Sequence, residues 1–141
     1  MATEFSERCD AIEECYEFML AYAGQGLPSD SGSQSGSQVR GFLQRAAQAL
    51  TGLAESCAWA VGQEGLEPAE KYQTFVTVLD RDAQDSLAAI ELVLAQPAIS
   101  SQLIDNLNAS SHLRALLTDV FLISEILSAQ AKQPKQSEVG T

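Results

Sequence analysis

The segment His112–Ala129, HLRALLTDVFLISEILSA, constrains this chain more than any other stretch. At about 100° per residue, Leu113, Leu116, Val120, Ile123 and Leu127 fall on one helical stripe. Leu117 and Phe121 widen the stripe on one flank, and Leu122 and Ile126 widen it on the other. Arg114, Thr118 and Glu125 leave only a narrow polar strip, while Asp119 stands alone between apolar neighbours. A helix apolar over most of its circumference is expected to be buried rather than laid on a surface. The rest of the chain is expected to be organised around it.

The remaining periodicity supplies partners for such a helix. Phe5, Cys9, Ile12, Tyr16, Met19 and Ala23 predict a first helix over residues 4–23, stopped by Gly24. Its outer face carries Glu4, Glu7, Asp10, Glu13, Glu14 and Glu17 against the single Arg8, which reads as a solvated face or as a surface for a basic partner. Residues 25–38, QGLPSDSGSQSGSQ, form a low-complexity Gly/Ser/Gln stretch that reads as a flexible loop. Val39, Phe42, Leu43, Ala46, Leu50, Leu53, Cys57 and Ala60 predict one continuous second helix over residues 39–61. A third helix is predicted from Pro68, at the first helical position, to Ala95 before Pro97. Its stripe is Tyr72, Phe75, Val76, Leu79, Ala83, Leu87, Ile90 and Leu94. Asp80, Asp82 and Asp85 lack the glycine and closing glutamate of a calcium loop and read as solvated. Residues 97–107 predict a short helix, and residues 131–141 a disordered tail. No useful β alternation occurs. The fold class is all-α: a four-helix bundle-like domain over residues 1–130, with a short additional helix before the last main one.

Composition narrows the partners. A net charge of −11 with eight Lys and Arg disfavours nucleic acid and anionic membranes, so neither is expected as a partner. No run approaches the ~18 apolar residues of a membrane span, and MATEFSERCD has no signal-peptide pattern. Cys9, Cys15 and Cys57 show no metal-type spacing and read as buried free thiols, with Cys15 nearer the helix flank. A cytoplasmic location is the expectation.

No motif carries a reaction. His112, the one histidine, follows Ser110 and Ser111, but adjacent helical positions do not face one another, so the triplet reads as a helix cap. Bundle topology could bring Met19 beside His112, a haem-ligand pair, yet Met19 also completes a core stripe, and no cofactor or metal is expected. Asp119 is the single acid whose apolar surroundings could raise its pKa. Trp59, the only tryptophan, falls opposite the stripe of its helix, in line with Gly52. These features predict a non-catalytic acidic interaction protein, a homodimer whose interface uses Trp59, Gly52, Phe121, Leu122 and Ile126. The alternative is a ligand-binding bundle or cofactor-poor enzyme with Asp119, Tyr72 or His112 in a core site.

Overall fold

A computed structural model describes residues 2–132, which form six helices and, among the described residues, no strand. They are α1 (Ala2–Ala23), α2 (Gln34–Leu50), α3 (Leu53–Glu64), α4 (Ala69–Leu94), α5 (Ser101–Ala109) and α6 (Ser111–Lys132). The all-α bundle with a short helix before the last is therefore observed. Residues 131–132 belong to α6, and the rest of the anticipated tail lies outside the described residues.

The best-covered helix is α1, which packs against α2, α3, α5 and α6. Its buried side is Phe5, Cys9, Ile12, Cys15, Met19 and Tyr22; Tyr16 and Ala23, expected on the stripe, are only half-buried. Tyr22 is wholly enclosed because its hydroxyl donates to the Ile99 carbonyl at 2.7 Å, removing the usual penalty for a buried phenol. By contrast α6 is covered on one side only. Leu113, Leu116, Leu117, Val120 and Ile123 are buried, but Phe121 and Leu122 remain 50% and 52% exposed. The expectation that α6 would be buried rather than laid on a surface holds for its stripe alone: it runs antiparallel to α4 at the side of the bundle. Ser86 Oγ donates to the His112 carbonyl at one end of that seam, and Phe75 meets Ile126 at the other.

The continuous helix expected over residues 39–61 is two helices. Thr51 is extended and Gly52 adopts φ 102°, a left-handed conformation that ends α2 and starts α3. A second cause lies far away in sequence. The Arg8 guanidinium donates to the carbonyls of Gln48, Ala49 and Thr51 at 3.0, 3.1 and 2.9 Å, taking acceptors that a continuing helix would need. The face of Gly52 lies against the same group, where an added Cβ would sit 3.3 Å from Arg8 Nη2.

Residues 25–38 differ from expectation too. Gln34–Gln38 are the first turns of α2, capped by Ser33, whose Oγ accepts from Gly36 N at 2.9 Å. The preceding residues are tied down: Leu27 N donates to Ser101 Oγ at 2.8 Å, and Ser101 N donates to the Leu27 carbonyl at 2.8 Å. Asp30 accepts from Ile99 N and from Arg40 Nε at 2.8 and 2.9 Å. Arg40 in turn donates to the Leu94 and Gln96 carbonyls at 2.9 and 2.8 Å, closing the C-terminus of α4. Gly36 passes so close to the Asp30 backbone that a Cβ there would collide with it. Composition suggested a loop because the stretch is mostly Gly, Ser and Gln; Leu27 packs on the core and polar contacts hold the rest.

Two stability outcomes follow from these contacts. Arg8→Ala should lower unfolding free energy by about 2 kcal/mol, the scale of lost charge-assisted bonds plus orphaned carbonyls. Glu4→Gln, which removes only the exposed 3.3 Å pair with Arg8, should change it by less than about 0.5 kcal/mol. Equal effects of the two in urea denaturation would refute the capping role.

For Asp30, the bond from Ile99 N and then Arg40 hold its carboxyl below the ordinary 3.8 despite partial burial. A depressed native value stabilises above 3.8 and is lost as pH falls through that lower value. Asp30→Ala should therefore cost about 2 kcal/mol near neutrality, with the difference from wild type narrowing in acid. A pH-independent difference in chemical denaturation would contradict this.

Candidate functional site

An open apolar groove lies between the start of α4 and the second half of α6. Pro68, Lys71, Tyr72 and Phe75 line one wall; Leu122, Ile123 and Ile126 line the other, around a cavity of about 260 Å³. It exists because the stripe of α4 begins earlier than its cover. Tyr72, Phe75 and Val76 carry the period but are half-buried, and the first fully enclosed residue of α4 is Leu79. Ile123 is buried at the base, while Leu122 forms an exposed lip with Phe121 beside it. Lys71 is the one charged group in the lining, which contains no carboxylate.

The structure separates the five interface candidates. Leu122 and Ile126 belong to the groove, and Phe121 stands outside it on the same helix. Trp59 does point outward, 45% exposed, but on α3, in a second recess formed with Glu4, Glu55 and Ser56. Gly52 is not on a helical face at all; it is the break between α2 and α3, with its surface taken by Arg8.

The candidates for chemistry are likewise dispersed. His112 is exposed and faces Asp85 at 4.0 Å, whereas Met19 is enclosed in the core, so no ligand pair forms. Tyr72 is in the groove, away from both. Asp119 is 8% exposed, and its Oδ2 has no hydrogen-bond partner among the described residues. Burial pushes its pKa up to about 7, and the neighbouring carboxyl of Asp82 adds to the rise. The aspartates expected to be solvated thus divide: Asp80 and Asp85 are exposed, but Asp82 is half-buried against α6. A signal for Asp82 was present in the sequence. The steps Leu79–Asp82–Ser86 are three and four residues, which place Asp82 on the side of α4 that meets α6.

Cys9, Cys15 and Cys57 are all buried free thiols, so Cys15 is no more accessible than the others. Burial pushes them up to about 12, 12 and 11; Ser124 and Arg45 oppose this at Cys9 and Cys15 respectively without reversing it. Among the described residues no three His, Cys, Asp or Glu side chains converge to hold a metal ion, and no helix is long and apolar enough to cross a membrane. A scan against protein-family models and searches of curated proteins and of solved structures return no match to this chain.

Native protein should therefore react with a thiol reagent at mildly alkaline pH far more slowly than after unfolding. Burial holds Cys9 and Cys15 as thiols, with far less thiolate than an unburied cysteine. One thiol reacting at the unfolded rate in the folded protein would show that its burial is transient.

Proposed function

We propose that the protein is a non-catalytic helical-bundle interaction module that self-associates through the α4–α6 groove. The observation that carries this reading is an open apolar groove between α4 and α6 with the exposed Leu122 at its lip. The groove is lined on α6 by Leu122, Ile123 and Ile126, and Leu122 is half exposed. A two-fold contact needs one patch complementary to itself, so an axis near Leu122 lets each copy set its Leu122 against the partner's groove. Charge supports a second copy meeting at this face rather than elsewhere. On a molecule of net charge −11, most surfaces repel a like molecule, whereas the groove lining carries only Lys71.

A second reading rests on Trp59. Its half-exposed indole shares a recess with the carboxylates of Glu4 and Glu55, which suits a Lys or Arg side chain from a basic partner by cation–π and ionic attraction. Glu4 already meets Arg8, which makes this reading the weaker of the two.

Light scattering at tens of micromolar should give twice the 15.1 kDa chain mass for wild type, and the chain mass for Leu122→Asp with unchanged helicity. Trp59→Lys should leave the dimer intact if the groove is the interface. A monomeric wild type sinks self-association. Dissociation by Trp59→Lys but not by Leu122→Asp moves the interface to α3.

A further inference from the structure

Arg8 and Arg40 commit their donors to helix-end carbonyls and a carboxylate. Arg45 of α2 does not: it is exposed, and among the described residues it pairs with no carboxylate or carbonyl. It is nevertheless held in place. Its Cζ lies 4.4 Å over the Phe42 ring, where the π face attracts the cation. Phe42 stacks on Phe18 at 4.3 Å and 17°, and Phe18 on Tyr22 at 5.9 Å and 22°. Tyr22 is wholly buried and bonded to the Ile99 carbonyl, so the column starts in the core and ends at the surface in a guanidinium. A ring covers one face of that group and leaves the N–H donors in its plane to bond elsewhere.

The neighbours of Arg45 share a chemistry. Helix α2 contains no Asp or Glu in its 17 residues. With Gln38, Gly41, Phe42, Gln44 and Gln48, Arg45 lines an open recess on the outer side of the helix. All of these but Phe42 are exposed. A Cβ on Gly41 would touch nothing within 4 Å, so a bound chain can approach the α2 backbone there without a clash. Carboxamides both donate and accept, as a peptide main chain does, and a guanidinium fork matches a carboxylate with two parallel bonds.

We propose that this face of α2 docks an extended segment of a partner protein carrying one Asp or Glu. The carboxylate pairs with the Arg45 fork, and the glutamines bond to the main chain on either side of it. Charge selects this occupant. On a molecule of net charge −11, an acidic residue can approach only where acids are missing, and α2 supplies that face. A phosphate group carries nearly two charges, and Arg45 is the one cation in the recess. A run of acids fits no better, because Glu14 and Glu17 are exposed on α1, which packs against α2. The recess shares no lining residue with the α4–α6 groove, and the docking does not rest on self-association.

The test follows the arginine Nε–Hε and glutamine carboxamide signals of the full chain by NMR. The probe is a blocked pentapeptide with one glutamate between alanines, which spans the roughly 15 Å of helix from Gln38 to Gln48. Arg45 should shift saturably together with Gln44 or Gln48, while Arg81 and Arg114, which are also exposed, stay unmoved. The same peptide with glutamine for glutamate should bind at least about tenfold more weakly. Arg45→Lys keeps the charge but loses the fork and the stack, and should weaken binding at least about fivefold with helicity unchanged. An Arg45 signal unmoved at about 10 mM peptide overturns the proposal. So do equal shifts at every exposed arginine, equal binding of the glutamine peptide, or Arg45→Lys binding as wild type does. Inorganic phosphate binding Arg45 more tightly than the peptide would overturn it too, by making the recess an anion site instead of a docking face.

Discussion

The bundle depends on two guanidinium groups that close helices belonging to other parts of the chain. Neither α2 nor α4 has a basic residue in its last turn, so their terminal carbonyls have no charged partner nearby in sequence. Arg8 of α1 reaches the end of α2, and Arg40 of α2 reaches the end of α4. Each contact sets where a helix stops and locks the helix providing it against the one it caps. In a chain with 19 acidic and eight basic residues, these two cations act structurally rather than on the surface. The stop of α2 before α3 and the tethered turn before α2 both draw on them.

That arrangement commits coverage to α1 and leaves α6 at the side. Four helices surround α1, whereas α6 depends mainly on α4 and α5 and turns Phe121 and Leu122 to solvent. The α4–α6 seam consequently contains the features that ordinary core packing would eliminate. It has an open apolar groove at one end and, in the middle, the buried Asp119 near the half-buried Asp82. Stability alone would favour covering the first and replacing the second with apolar side chains. Their placement on one seam makes that seam the functional face of the molecule in our reading.

Among the described residues the candidates for chemistry stand apart from one another. Catalysis by acid and base needs groups of separated pKa around a space that a substrate can enter. Asp119 has the raised pKa, but it faces a sealed seam, and His112 and Tyr72 stand at different places on the surface and in the groove. The three thiols are buried in the core, held as poor nucleophiles by desolvation.

Periodicity determined the helical class, the positions of α1, α4 and α6, and most of their buried residues, because a 3.6-residue repeat of Leu, Ile and Val has one economical resolution in water. The same local rule placed Trp59 on the outer side of its helix before any neighbour was known. Only the tertiary structure decided the break at Gly52, the anchoring of residues 27–36, the half-cover of α6 and the meeting of Asp82 with Asp119. Each of these turns on a polar contact across more than 30 residues or on which helix lies opposite. Such contacts leave no period in the sequence. A guanidinium finds carbonyls through the fold, and a carboxyl becomes strained only when another element removes its water.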